Sequence, residues 1–374
     1  MDGRESAAPK EVDVAVIGGG VVGMSAALFL ARAGRSVAVF DRTEPWSDAS
    51  GSNAGTLSIQ AMRVEVLAMA RLGIALWKRF QEEDGMDVGF HRLGGFLVAT
   101  DDAHIAHLRD YAAQQARSGL ELEWLEANAM RDRAPWLGRA VRAVTFCDED
   151  SHASPLMAGN AVIAAARRAG AHVLSQTPVE AVAREGAGYA VTTRFGVTRC
   201  RAVVVTAGPW SGEVARMLGV ALPLYVDTNM LTITEPGPKV FDRVVSHVAG
   251  ILTLKQYENG TCMIGGGWQG RGVFATGQRK TDYNRLRQNW ATATTVVPGL
   301  ANLRAVRSWA GFQAVTPDAL PVIGRLPGHE QAYIAAGARG GFHMGPAQGL
   351  ALSEMIQGRA PPLDLARFDP GRFA

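Results

Sequence analysis

Residues 12–41 read VDVAVIGGGVVGMSAALFLARAGRSVAVFD, and the order of signals within them decides the fold. Val12, Val14, Val16 and Ile17 form a short apolar run with the character of a buried strand. Gly18-Gly19-Gly20-Val21-Val22-Gly23 follows as a G-x-G-x-x-G turn, and residues 24–33 continue with helical character. Residues 36–40 read as a second strand, with Asp41 at its end and Arg42 beside it. Gly18 permits the tight turn, Gly20 lets the backbone approach a pyrophosphate, and Gly23 lets helix and strand pack closely. The helix start offers unpaired N–H groups and positive partial charge to that pyrophosphate. Asp41 lies 18 residues beyond Gly23, where a carboxylate can accept hydrogen bonds from ribose hydroxyls.

A glycine turn without ligand would leave the terminal acid unexplained. A membrane segment is the other competing reading, because residues 14–31 carry no charge, and 18 such residues would just span a bilayer. Three consecutive glycines and a strand-like first half argue against it. Residues 1–11 are polar and mixed in charge, with no cleavage pattern after the apolar stretch, so a signal peptide is not expected either.

The 374 residues leave room for two domains or one large one. Hydrophobic residues make up 47% and charged residues 20%, as in a globular enzyme. Net charge is +3, and the arginines are scattered, so no basic stripe suggests nucleic acid. Cys147, Cys200 and Cys262 are odd in number and far apart, which indicates neither a disulfide framework nor a metal site. A cytoplasmic setting is expected.

Further along, residues 46–60 are small and polar, suited either to a flexible loop or to close contact with a bulky cofactor. Residues 63–84 have helical spacing, 94–100 read as a strand, and Asp101 caps a helix. Residues 141–146 and 171–174 suggest strands around a helix at 155–169. Residues 177–184, 189–194 and 197–199 suggest an antiparallel set, and the apolar run 201–206 a separate strand. That run meets Ala207-Gly208-Pro209-Trp210, a second glycine turn. Strands are expected at 222–234, 250–257, 260–267 and 306–315, and a closing helix follows residues 337–349.

Together these pieces resemble the FAD-dependent D-amino-acid oxidase family, which includes glycine oxidases, sarcosine oxidases and D-amino-acid dehydrogenases. The resemblance rests on the opening unit with Asp41, on Ser50-Gly51-Ser52-Asn53-Ala54-Gly55, and on Ala207-Gly208-Pro209-Trp210. Trp309-Ala310-Gly311, Thr316-Pro317-Asp318, Pro321-Val322-Ile323-Gly324 and the segment 337–349 add to it. The Ser52-to-Gly55 loop, Gly265-Gly266-Gly267-Trp268 and the run from Thr316 look most like the β subunits of opine oxidases and D-hydroxyproline dehydrogenases.

The resemblance implies an α/β fold: a discontinuous Rossmann-like FAD-binding domain (residues 11–62, 145–212 and 306–374) and a mixed-sheet α+β substrate domain (63–144 and 213–305). Noncovalent FAD would contact Gly18, Gly20, Val22, Gly23, Asp41 and Arg42 at the first turn. Ser50, Asn53, Ala54, Gly55 and Leu57 would lie along the isoalloxazine, and Val179 would meet the adenine. Ala207, Gly208 and Trp210 form the second approach, and Gly340, Gly341, Phe342, His343 and Met344 would face the flavin's pyrimidine end. Heterotetrameric relatives attach FMN through a histidine near the helix at 155. Ser154 stands there, which speaks against a covalent link and leaves FMN at a subunit interface open.

Oxidising an amine C–N bond needs orientation over the flavin and an unprotonated amine, not a nucleophile or metal. Glycine oxidases and D-amino-acid dehydrogenases carry a carboxylate-binding arginine two residues after the W-x-G glycine. Gln313 stands here, so a charge-assisted anchor is lost. Arg339 is the expected replacement, with a solvent-exposed loop arginine as the alternative. His343 is expected to stabilise charge on the flavin, the alternative being a packed core histidine. Tyr257 and Trp268 would roof the substrate or merely pack. The expected activity is oxidation of an amino-acid-like, secondary amine, carried out as the catalytic part of an assembly with electron-accepting partner subunits. Rival readings are a stand-alone glycine or D-amino-acid oxidase or dehydrogenase, a nicotinamide-dependent dehydrogenase, and a non-catalytic flavin-carrying electron-transfer or scaffold subunit.

Overall fold

The computed structural model describes residues 8–373. The strand Glu11–Ile17 lies at the centre of the first sheet, parallel to Val37–Phe40 on one edge and to Gly196–Val205 on the other. His172–Leu174 extends the parallel set beyond Val37–Phe40. Val14 and Val16 enter one hydrophobic cluster, while Val12, Ala15 and Ile17 enter another on the opposite face. Burial on both faces is why this strand reads as an apolar run rather than an alternation.

The helix Val21–Arg32 leaves the glycine turn and packs on the closing helix Gly341–Ile356. The contact is tight because of two glycines one turn apart. A Cβ on Gly345 would lie 2.5 Å from a Val21 methyl, and one on Gly349 would lie 2.6 Å from Ser25 Cβ. The closing helix therefore meets the first with its bare backbone, where side chains at 345 and 349 would hold the helices apart.

The second sheet roofs the first. Its order is Ala305–Val315, Tyr225–Thr234, Cys262–Gly265, Thr253–Gln256, Val244–His247, Gly95–Ala99, Ala143–Cys147 and Glu123–Leu125. Only Val244–His247 and Gly95–Ala99 pair in parallel, so the sheet is mixed. Behind it, Ala293 and Val296 of the helix Tyr283–Val296 bury against Leu254, Cys262 and Ile264.

Several sequence expectations change. The runs at 197–199 and 201–206 form a single strand, Gly196–Val205. Its first half pairs antiparallel with Gly188–Thr193 and its last residues run parallel to Ala332–Ala336, so one strand carries both the hairpin and the buried pattern. Ala143–Cys147 and Ala305–Val315 pair into the roofing sheet. Residues 64–66 form a 3-10 turn ahead of the helix Leu67–Glu82. Asp101 does cap its helix, accepting from the His104 N–H at 2.8 Å. The strand Val244–His247 and the hairpin Arg271–Val273 with Gln278–Lys280 carry no clear sequence signal. Among the described residues no helix is long and apolar enough to cross a membrane.

Candidate active site

A cavity of about 700 Å³ runs between the carboxyl ends of the parallel strands and the roofing sheet. Its floor at one end is the glycine turn. Gly18 has φ +104°, and a Cβ there would lie 2.5 Å from the Thr206 carbonyl oxygen. A Cβ on Gly23 would lie 2.0 Å from the Gly18 carbonyl oxygen, so both glycines are required by packing alone. Gly20 differs. Its backbone is extended (φ −75°, ψ −175°), and an added Cβ would meet only Ser50 Oγ at 3.0 Å. Bare backbone at Gly20 therefore answers a need of the cavity, not of the fold.

Asp41 closes the same end. Its Oδ2 accepts from the Gly19 N–H at 2.8 Å, and its Oδ1 accepts from the Thr43 N–H at 2.8 Å. Burial raises its pKa, against the pull of those N–H groups. Beside it, the Arg42 guanidinium sits 3.4 Å over the Trp210 ring. Phe274 of the hairpin region stacks against Trp210 at 5.1 Å between centroids. Asp48 accepts from Arg42 at 3.1 Å and from Arg279 at 2.6 Å, tying that hairpin to the cavity wall.

The loop at 50–57 is shaped by its own side chains. Ser50 Oγ accepts from the Val21 N–H at 2.8 Å and so caps the first helix. Asn53 Nδ2 donates to the Ser50 carbonyl at 2.6 Å, and its Oδ1 accepts from the Gly55 N–H at 2.7 Å. The roof grips the loop from above: Trp309 Nε1 donates to the Ser52 carbonyl at 2.9 Å, and Lys255 Nζ donates to the Ala54 carbonyl. Downstream, Asp150 accepts from Ser58 Oγ at 2.6 Å and from the Ile59 N–H at 2.7 Å, and full burial pushes its carboxyl up to about 6.

The cavity also holds an unpaired donor. Gln348, on the closing helix, is 1% exposed and lines the cavity, yet its Nε2 has no hydrogen-bond partner. A buried amide in that state fits a polar ligand in the cavity. In the sequence it is one polar residue among the small residues of a helix, with nothing to single it out.

The sequence profile of the DAO family, described as FAD dependent oxidoreductase, matches residues 13–355. The chain is a member of that family. Glycine oxidase from Bacillus licheniformis is 29% identical over 364 residues, covering 93% of this chain and 94% of that one. An opine oxidase subunit from Rhizobium meliloti is 24% identical, covering 97% of this chain and 98% of its own. Among solved structures, L-proline dehydrogenase from P. horikoshii superposes with a TM-score of 0.88 at 28% identity, covering 98% of each chain. FAD is the cofactor of this oxidoreductase, and the orphaned Gln348 amide and the open backbone at Gly20 fit such a group.

Of the residues expected to touch the cofactor, Gly18, Gly20, Val22, Asp41, Arg42, Ser50, Asn53, Ala54 and Gly55 line the cavity. So do Val179, Ala207, Gly208, Trp210, Gly340, Gly341, Phe342 and His343. Gly23, Leu57 and Met344 do not; Leu57 and Met344 are fully buried core residues, and Gly23 serves helix packing. For His343 the geometry fits the alternative of a packed core histidine. It is 0% exposed, its Nε2 donates to the Ala70 carbonyl at 3.0 Å, and burial lowers its pKa to about 4. The ring packs on the helix Leu67–Glu82, and its Nδ1 has no hydrogen-bond partner among the described residues. Tyr257 lies off the cavity, stacked on His152 at 5.9 Å, with its hydroxyl pushed up to about 12 by burial. Trp268 lies off the cavity as well, its Nε1 donating to the Ile251 carbonyl at 2.7 Å.

Gln313 does line the cavity, but in company. Its Oε1 accepts from Asn229 Nδ2 and its Nε2 donates to the Ala338 carbonyl at 3.3 Å. Asn229 Oδ1 accepts from Gln269 Nε2 at 2.9 Å. Arg339 reaches the cavity mouth, with its side chain 61% exposed and its Nη2 bound to Asp227 at 2.9 Å. Neither Asn229 nor Gln269 bears a sequence signal; Asn229 lies in the strand Tyr225–Thr234 and Gln269 in the segment between two strands.

Proposed function

We propose that this chain oxidises the C–N bond of an amino-acid-like secondary amine to an imine, as the catalytic part of a larger dehydrogenase. Noncovalent FAD supplies the two-electron oxidation. The glycine turn and Ser50 would hold its pyrophosphate, Asp41 its ribose, and the 50–55 loop and Gly340–Gly341 its ring system. The observation that carries this reading is continuity: one cavity joins the dinucleotide cradle to a polar wall of Asn229, Gln313 and Arg339 under the roof. That wall orients a small polar substrate, and the roof excludes water from the reacting carbon.

The secondary amine is supported by the relatives. Proline is a cyclic secondary amine, and the opine oxidase relative is, as its name says, one part of an assembly. A stand-alone oxidase of primary amino acids is the second reading, favoured by the 29% identity to glycine oxidase. Purified FAD-loaded protein, offered proline, sarcosine, glycine and D-alanine with a dye acceptor, separates the readings. Turnover confined to proline and sarcosine supports the proposal. Preference for glycine or D-alanine overturns the substrate class, and no turnover with any amine leaves only a flavin-carrying component.

A further inference from the structure

The register of two roof strands places the polar wall on one face. Asp227 lies opposite Gln313 and Asn229 opposite Gly311 across the antiparallel pair. Directly opposed residues share a face, as do residues two apart on one strand, so Asp227, Asn229 and Gln313 all point the same way. Gln269 joins from a neighbouring segment through an isolated bridge to Asn229.

Three amides in a chain raise the question of which end of each points where, since oxygen and nitrogen are easily interchanged. Two backbone groups answer it. The Thr228 N–H donates to Gln269 Oε1 at 2.9 Å, and the Ala338 carbonyl accepts from Gln313 Nε2 at 3.3 Å. A backbone donor at one end and a backbone acceptor at the other leave one consistent arrangement. Gln269 donates to Asn229, Asn229 to Gln313, and Gln313 to Ala338. Both cavity-lining amides thereby direct one lone pair of each oxygen into the chain. Each keeps one N–H of its NH2 group uncommitted among the described residues. Arg339, the cation at this wall, is ion-paired with Asp227 at 2.9 Å.

We propose that this amide chain is the substrate anchor, an uncharged wall whose free N–H groups read the carbonyl end of the amine substrate as a hydrogen-bond acceptor rather than as a charge. The substrate class follows: α-amino compounds ending in a carboxylate or a neutral carboxamide are held comparably, where an arginine would select the carboxylate. Gln269, which does not line the cavity, is a positioning residue that sets the polarity of the other two. The proposal rests on the reading that this cavity receives the amine.

The test is binding to the FAD-loaded protein, followed by perturbation of the flavin absorbance. The probes are methoxyacetate and methoxyacetamide, in which an ether oxygen replaces the amine so that neither can be oxidised. The two dissociation constants are expected to agree within about tenfold. Gln313→Leu should weaken both together by about tenfold, and Gln269→Leu should weaken both by several-fold with FAD affinity unchanged. Gln313→Arg should favour the carboxylate by more than tenfold over the carboxamide. A wild-type preference for methoxyacetate above a hundredfold overturns the proposal, as does unchanged binding of both probes in Gln313→Leu. Because neither probe reacts, a failure of the wall remains distinct from a failure of the amine-oxidation reading, which the dye assay reports.

Discussion

Gly20→Val isolates the cofactor's claim on the glycine turn from the fold's claim. The substituted backbone stays in an extended region open to any residue, and the new Cβ meets only the rotatable Ser50 hydroxyl at 3.0 Å. Apoprotein stability should therefore fall by about 1 kcal/mol or less, the scale of a helix N-cap change. The side chain nevertheless projects where the pyrophosphate must approach, so the FAD dissociation constant should rise at least about a hundredfold, roughly 2.7 kcal/mol. Gly23→Ala is the control. Its Cβ would lie 2.0 Å from the Gly18 carbonyl oxygen and 2.5 Å from Thr206 Oγ1, and neither the backbone nor the buried hydroxyl can yield cheaply. Forcing helix and turn apart should cost about 1–3 kcal/mol in the apoprotein as well. Thermal denaturation of both apoproteins, with FAD titration by fluorescence quenching, reads the two effects separately. Wild-type FAD affinity in Gly20→Val would refute the placement, and so would an apoprotein loss equal to that of Gly23→Ala.

Asp41→Ala should leave the fold standing and weaken FAD about tenfold to a hundredfold, because charge-assisted hydrogen bonds contribute about 1.5–3 kcal/mol; an equilibrium titration with unchanged affinity would make the acid a turn-former only. Acid precipitation should release the flavin into the supernatant, and colour retained in the pellet would contradict noncovalent binding. Arg339→Ala should raise the Michaelis constant by only a few-fold, since its charge is already met by Asp227 and largely in water; a hundredfold rise would make it the principal anchor. Lys255, 3% exposed beside His152 and Tyr257, has its pKa lowered by burial to about 7 from 10.5. Between those values the folded protein holds fewer protons than the unfolded chain, so the penalty for burying this amine is absent above 10.5, grows as pH falls, and is complete below 7. Lys255→Met should accordingly raise the melting temperature most near pH 6 and least near pH 9, and a pH-independent difference would contradict a buried, easily neutralised lysine.

The parts legible from sequence are those whose physics is local. A G-x-G-x-x-G turn demands particular backbone at Gly18 and close packing at Gly23, and those demands leave glycines wherever the turn occurs. The loop at 50–55 is likewise shaped by bonds spanning a few residues, such as Asn53 to Ser50 and Gly55. His343 shows where locality stops. It follows a cavity-lining glycine pair, but the helical register that begins at Gly341 sets its Nε2 on the Ala70 carbonyl 273 residues earlier. The Gln313 position shows the opposite case. The missing arginine is visible in the sequence, whereas the amides that surround Gln313 come from distant segments. Asn229 lies 84 residues before Gln313, and Gln269 lies 40 residues beyond Asn229. Only sheet register and one isolated bridge bring the three together. Uncharged amides carry no sequence signature of binding, because each is equally at home on any strand. Their meaning comes from the Thr228 N–H at one end and the Ala338 carbonyl at the other, and both are backbone groups of a kind that every chain possesses. A wall built this way loses the strength of a bidentate ion pair and retains direction. That exchange suits a pocket whose substrate must be held by its carbonyl end while its nitrogen is presented uncharged.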